Sequence, residues 1–298
     1  MIAPILVGGE HRSGTTLVSV ILDSHPELTV GPELDFLEPR DLGPHILECC
    51  ELLDAGDPRV AGSGVRTADA DLQLGVQFVK QCHRFGVDRS ELAAETGRAL
   101  AAAGRELTSF EDRCGLIERI GELRRARCRT RRWGIKIQRS IVRGEDFRRV
   151  WPDACLVHVV RDGRDVAASH LRGGRWWGYR DVEEAARRWL EVVEGPATGP
   201  TVFYERLVTE PRTALEALLA ELGAPWSDAL LRHATTEHAL LANPHGHPSA
   251  DEVRRPIHRE AVGRYRRDLT PHEIRAFEAI AGDALDRLGY PLAASAPR

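Results

Sequence analysis

Apolar positions cluster in four short runs, Ile5 to Gly8, Trp133 to Ile137, Cys155 to Val160 and Thr201 to Tyr204, each of a length suited to a buried parallel strand. Most lead into a turn and then into a stretch whose apolar residues recur at the helix period, as in Leu17 to Leu22, Val166 to Leu171, Val182 to Val193 and Thr213 to Leu222. Strands alternating with helices predict an α/β fold in three layers, a central parallel sheet with helices on both faces. In such a sheet, ligands belong at the carboxyl ends of the strands. Residues 39–132 read instead as helical and rich in arginine and alanine, with turn signals at Gly56-Asp57-Pro58 and Ala61-Gly62-Ser63-Gly64. They are expected to be an insertion between two strands of one sheet, inside one domain that spans residues 1–298. A last helix is predicted from the N-cap Thr270, with Pro271 at its first position and Glu273 at its third, ending near Leu288 and Gly289.

The first strand leads straight into the most informative stretch, Ile5-Leu6-Val7-Gly8-Gly9-Glu10-His11-Arg12-Ser13-Gly14-Thr15-Thr16-Leu17. A strand, a glycine turn, hydroxyl residues and a helix in that order set a ring of backbone N–H groups at a helix N-terminus, which binds phosphate or sulfate. An ATP-binding loop reads G-x-x-x-x-G-K-[S/T]; from Gly9 the spacing fits, but Thr15 stands in the lysine's place. The fold is thus P-loop-like, with a loop built for an anion but not for ATP. A second unit of the same kind, Leu156 to Ser169, ends its strand at Arg161 and carries Ser169 two turns into the following helix. Arg161 would project from the same sheet edge as the first loop, where a guanidinium binds phosphate through two parallel hydrogen bonds. Taken alone, Arg161-Asp162-Gly163-Arg164 is equally a surface turn.

Composition narrows the field. A formal net charge of −4 and a pI near 6.3 argue against a general nucleic-acid binder, so any anion site is local. Lys80 and Lys136 are the only lysines against an arginine-rich background that suggests a GC-rich, bacterial genome. A lysine in that setting is either a compact point-charge donor or a surface residue. The six cysteines, at 49, 50, 82, 114, 128 and 155, lack zinc spacing and suggest reduced thiols in a cytoplasmic setting, and no metal site is expected. The apolar N-terminus has no basic flank or cleavage site and reads as a buried strand, and no run is long enough to span a membrane.

One anion loop and one separate arginine/serine site describe a nucleotide with anions at both ends. Here the chain resembles the sulfotransferases that use 3′-phosphoadenosine 5′-phosphosulfate (PAPS), especially the tyrosylprotein sulfotransferase branch. The matching stretches are Gly9 to Leu17, Leu22 to Glu27, Gly31-Pro32-Glu33, Val160 to Arg164 with Ser169, Tyr204 to Val208, and Pro256 to Tyr265. The resemblance implies transfer of a sulfuryl group to a hydroxyl of a small-molecule or peptide acceptor, with release of adenosine 3′,5′-bisphosphate. It implies that Arg12, Ser13, Gly14, Thr15 and Thr16 hold the 5′-phosphosulfate, that Arg161 and Ser169 hold the 3′-phosphate, and that Tyr204 lies beside the nucleotide. Arg254 to His258 is similar to a loop that closes over the cofactor, with Arg255 in place of a family lysine and Ser249 in the same loop. By the same resemblance Glu33 is the catalytic base, Arg12 stabilises the transition state and Lys136 stabilises the leaving oxygen. Alone, Glu33 would read as a solvated loop carboxylate and Lys136 as a snorkelling surface lysine.

The chain departs from that branch at two places. His11 replaces the usual proline before the arginine, and Pro32-Glu33 keeps one carboxylate of an acidic pair. His11 is either a second base or a residue that hydrogen-bonds the loop. These changes leave the acceptor open among phenols, sugar or lipid hydroxyls and peptide tyrosine, and the helical insertion is expected to cap the site and influence that choice. The assembly is open between monomer and homodimer. Two other functions compete: a P-loop small-molecule kinase using ATP, against which the missing lysine counts, and a nucleotide-binding module without catalysis, against which Glu33 and Lys136 count. Trp176-Trp177 reads as a lid, a core edge or a ligand contact, His245-Gly246-His247 as an irregular loop without a third metal ligand, and the arginines from Arg124 to Arg132 as a solvated helix face, with binding to an acidic acceptor as the lesser reading.

Overall fold

A computed structural model describes residues 3–34, 43–60, 70–172, 178–195, 199–238, 241 and 250–292. Its strands are β1 (Ile5–Gly9), β2 (Leu28–Glu33), β3 (Arg132–Gln138), β4 (Cys155–Val160) and β5 (Thr201–Phe203). All pair in parallel, in the order β2-β3-β1-β4-β5. The three-layer α/β architecture expected from the apolar pattern is the one observed. Residue alternation explains the layers. Leu6, Leu156, Trp133 and Ile135 point into one apolar core, while Ile5, Val7, Val157 and Val159 point into another on the opposite face.

The helices are α1 (Thr15–Asp23), α2 (Gly43–Asp54), α3 (Ala70–Arg84), α4 (Arg89–Ala103), α5 (Phe110–Cys128), α6 (Gly144–Val150), α7 (Gly163–Leu171), α8 (Val182–Val193), α9 (Tyr204–Thr209), α10 (Pro211–Leu222), α11 (Ala250–Val253), α12 (Tyr265–Asp268) and α13 (Pro271–Arg287). The insertion contributes α2 to α5, whose Val76, Phe78, Ile117 and Ile120 share a core with Trp133 and Ile135 of β3. It is therefore continuous with the sheet. Further along the same face, α7, α8 and α13 meet through Trp189 and Phe277, and Val192 of α8 joins the insertion's core. Thr270 caps α13 by the reciprocal capping box its sequence predicts.

β2 is the strand that the pattern does not predict, because Gly31 and Pro32 break its apolar run. Proline is tolerated there because β2 is an edge strand, and its register with β3 shifts between Val30 and Glu33. Gly31 is required by a close approach: a Cβ would lie 2.4 Å from the Phe85 ring. The arginines of 124–132 match the expected solvated face only in part, with Arg127, Arg129 and Arg131 exposed. Arg124, Arg125 and Arg132 are half-buried; Arg125 bonds Glu122 and the Thr130 carbonyl, and Arg132 donates to the carbonyls of Ala3 and Leu222. They tie helix and strand ends together. All six cysteines are free.

Candidate active site

Parallel pairing brings the carboxyl ends of β1, β2 and β3 side by side, and the register places Lys136 next to both Val7 and Glu33. After β1 the chain turns through residues 10–13, with the Ser13 N–H donating to the Glu10 carbonyl at 3.0 Å and Arg12 at φ 70. That left-handed conformation costs a residue with a Cβ roughly 1 to 2 kcal/mol. Gly14, at φ 105, is the N-cap of α1, and no side chain caps the helix. A Cβ on Gly14 would lie 2.7 Å from the Tyr204 ring, so only glycine lets the ring cover the loop. The uncapped first turn, Thr15, Thr16 and Leu17, lines a cavity of ≈ 580 Å³. Its partial positive charge faces that space.

On one side of the cavity, Lys136 Nζ donates to Thr16 Oγ1 at 3.1 Å and lies 3.6 Å from Glu33 Oε2. Lys136 is 1 % exposed, whereas Glu33 keeps contact with the cavity, so the cation is fixed and the carboxylate accessible. Gln138 links the group together. Its Nε2 donates to Glu33 Oε2 at 3.0 Å, and its Oε1 accepts from Thr15 Oγ1 at 3.1 Å. Since a carboxylate only accepts, these partners set the orientation of the amide. Gln138 has φ 44, an unusual backbone held where the loop and both strands converge. Sequence reasoning missed it; the available signal was its position two residues after Lys136, on the same side of a strand.

On the other side, Arg161 NH1 donates to the Arg12 carbonyl at 3.1 Å and NH2 to the Ala261 carbonyl at 2.5 Å. Its guanidinium lies over the Tyr204 ring at 4.6 Å and within 3.6 Å of Asp165. Arg12 Nε donates to Ser169 Oγ at 3.0 Å. The residues assigned to the two ends of the nucleotide are therefore linked to each other. Arg161 Nε and Ser13 Oγ are buried without a hydrogen-bond partner among the described residues. Arg161 lines the cavity and, with the uncapped amides, offers donors suited to anionic oxygens, whereas Ser13 is not among the lining residues.

The sequence model of the sulfotransferase family matches residues 4–228. The chain belongs to the sulfotransferase family. A protein-tyrosine sulfotransferase of Drosophila melanogaster is 25% identical over 312 residues, covering 98% of this chain and 52% of its own length. Protein-tyrosine sulfotransferase 2 of Gallus gallus is 26% identical over 313 residues, covering 98% and 71%. The chain spans about half the length of the fly relative. Among solved structures, a sulfotransferase domain from the curacin biosynthetic pathway superposes with a TM-score of 0.62 at 18% identity, covering 98% of this chain and 99% of that one. A sulfotransferase domain from the Synechococcus PCC 7002 olefin synthase gives 0.58 at 20% identity over 94% of each chain. At these identities the likeness to the two structures establishes the fold alone.

Within this sulfotransferase-family site, Tyr204 lies against the loop, and Arg255 lines the cavity while pairing with Glu252 and Glu260. Pro256, Ile257 and His258 line it too, so the late basic segment does border the cavity. His11 lines it on the loop side; burial pushes its imidazole below the ordinary value, opposed by Glu33 and reinforced by Lys136, Arg139 and Arg12. Ser249, Trp176, Trp177, His245 and His247 lie outside the described residues. Sequence reasoning also missed Gln81 and Arg84 of α3, which carry the insertion to the cavity wall. Arg164, in contrast, is fully buried and paired with Asp162 and Glu278, where it braces α7 against α13. Among the described residues no helix is long and apolar enough to cross a membrane.

Proposed function

We propose that the chain transfers a sulfuryl group from PAPS to a hydroxyl acceptor and releases adenosine 3′,5′-bisphosphate. The observation that carries this reading is that two clusters meet at one cavity: Glu33 and Thr16 line it at the sheet edge with the Lys136 ammonium buried behind them, and Arg12, Arg161 and Ser169 line it beside the loop. A lone carboxylate near a fixed cation is the equipment for deprotonating a hydroxyl, and buried arginine with serine is the equipment for holding a phosphate.

In this reading Arg161 and Ser169 hold the 3′-phosphate, and the first-turn amides of α1 with Ser13, Thr15 and Thr16 hold the 5′-phosphosulfate. Glu33 takes the acceptor proton as the new oxygen–sulfur bond forms and the bond to the bisphosphate oxygen breaks. Lys136 and Arg12 stabilise charge on the transferring group and leaving oxygen, in a site whose donors are already oriented. Gln138 holds the base. Burial favours the neutral imidazole of His11, which keeps it available as a second proton acceptor. The free cysteines suit a reducing compartment, and we place the activity in the cytoplasm.

The acceptor is a phenol, an alcohol or a peptide tyrosine, with Gln81 and Arg84 of the insertion at the wall that selects among them. The test is incubation of the protein with PAPS and a panel of these three classes, read by mass spectrometry. Transfer adds ~80 Da to an acceptor, a shift set by the sulfuryl group itself. No gain on any acceptor, with tight binding of adenosine 3′,5′-bisphosphate, would make the protein a binding module.

A further inference from the structure

Residues 10–13 form a turn with a defined type. The Ser13 N–H meets the Glu10 carbonyl at 3.0 Å, His11 is not among the residues with positive φ, and Arg12 has φ 70. That combination is a type II turn, whose second place favours proline because the ring fixes φ. Proline also has no N–H to satisfy. His11 supplies neither property.

The structure meets the need in another way. The His11 N–H donates to Glu10 Oε1 at 2.7 Å. Glu10 is 1 % exposed, and its carboxylate is anchored by the Arg139 guanidinium on Oε2 and the Tyr179 hydroxyl on Oε1. Arg139 is fixed in turn, donating to the Arg188 carbonyl at 2.9 Å and pairing with Glu191 of α8. Behind Tyr179, the His170 ring of α7 packs at 4.4 Å. A carboxylate tied to β3's end and to the segment before α8 thus grips the backbone amide just ahead of Arg12.

We propose that Glu10 is a positioning residue for the anion loop, its carboxylate holding the His11 N–H and doing by hydrogen bonding what a proline ring does at that place. Glu10 does not line the cavity and acts through the conformation of His11 and Arg12. The inference rests on the reading of this loop as the phosphosulfate site.

Calorimetric titration with adenosine 3′,5′-bisphosphate separates the two. If releasing the clamp leaves the loop in its binding conformation about a tenth of the time, Glu10→Ala raises Kd about tenfold. His11→Pro added to Glu10→Ala restores φ and removes the orphaned N–H, so Kd returns to within about threefold of the starting value. A carboxylate that only braced the fold would gain nothing from proline at residue 11. Wild-type affinity in Glu10→Ala, or equal loss in the single and double variants, overturns the inference. Should Glu10→Ala not fold, Glu10→Gln carries the comparison: it keeps an oxygen for the His11 N–H and holds Kd within about threefold. A tenfold loss in Glu10→Gln that His11→Pro leaves uncorrected would also overturn it. If the wild-type chain does not bind the nucleotide at all, the proposed function fails first.

Discussion

Gln138 donates to Glu33 Oε2, the oxygen that also faces Lys136, at 3.0 Å while accepting from Thr15 at 3.1 Å, so one amide spans the carboxylate and the loop after β1. The bridge joins the end of β3 to the first turn of α1. It orients the carboxylate without neutralising it, since the charge is met by Lys136 at 3.6 Å. In the proposed reaction, a carboxylate held this way has a fixed orientation from which to accept a proton. That geometry leads to separable expectations for the two residues.

Glu33→Ala is expected to lower kcat about 100-fold or more, the usual contribution of a positioned base, with little change in nucleotide affinity. Gln138→Ala should lower kcat by a smaller factor, about tenfold, because the base remains but loses its orientation. Steady-state kinetics with calorimetric Kd values checks both. Equal losses in kcat and in nucleotide affinity for Glu33→Ala would remove it from the chemistry.

Lys136 is buried at the strand end with its ammonium on Thr16 and beside Glu33. Lys136→Ala is expected to lower kcat about 100-fold to 1,000-fold, as loss of an oriented charge stabiliser does. Lys136→Arg should not restore it, because a planar fork cannot take the place of a compact ammonium. Single-turnover rates measured at saturating PAPS decide the point. Full activity in the arginine variant would assign Lys136 to charge balance alone.

Arg161→Ala should weaken adenosine 3′,5′-bisphosphate binding about 10- to 100-fold, the value of a charge-assisted pair of hydrogen bonds. The same substitution should leave adenosine 5′-phosphate affinity within about threefold, since that ligand has no 3′-phosphate for the guanidinium to bind. Parallel titrations of both nucleotides make the comparison. Equal losses for the two would move Arg161 away from the 3′ end.

His158 of β4 is 6 % exposed, and burial lowers its imidazole from the ordinary 6.5 to about 4. Between those values the unfolded chain binds the proton and the folded chain does not. Stability is therefore full above about pH 6.5 and falls as the pH drops to about 4, by on the order of 3 kcal/mol. Urea unfolding of the wild type and of His158→Leu at pH 7 and pH 4.5 should show a steeper loss in the wild type. Parallel losses would show that other groups dominate acid unfolding.

Local pattern explains what could be read in advance. β1, β3 and β4 are buried on both faces, so their runs stay mostly apolar and legible, interrupted only by Lys136 in β3 between Trp133 and Ile137 and by His158 in β4. The loop from Gly9 to Thr16 was equally plain, because glycine and hydroxyl residues at those spacings have few other uses. β2 was hidden because its Pro32 suits an edge strand and its pairing comes from Arg132 to Lys136, about a hundred residues later. Gln138, Gln81 and Arg84 gave no local sign, since a polar side chain at a strand end or on a helix reads as solvated until the chain is folded.

By itself, the amino-acid sequence determined the layers of this protein, its glycine and hydroxyl loop after β1, and the placing of Arg161 and Ser169 on one strand-to-helix unit. Periodicity and turn chemistry act over a few residues, so these features are written locally. The tertiary structure alone decided that Glu33, Lys136 and Gln138 would meet across β2, β3 and α1, and that Glu10 would hold the loop from beneath through Arg139 and Tyr179. Apart from the bond between the neighbours Glu10 and His11, those contacts join residues more than a hundred positions apart, and their geometry exists only once strand register and helix packing are set.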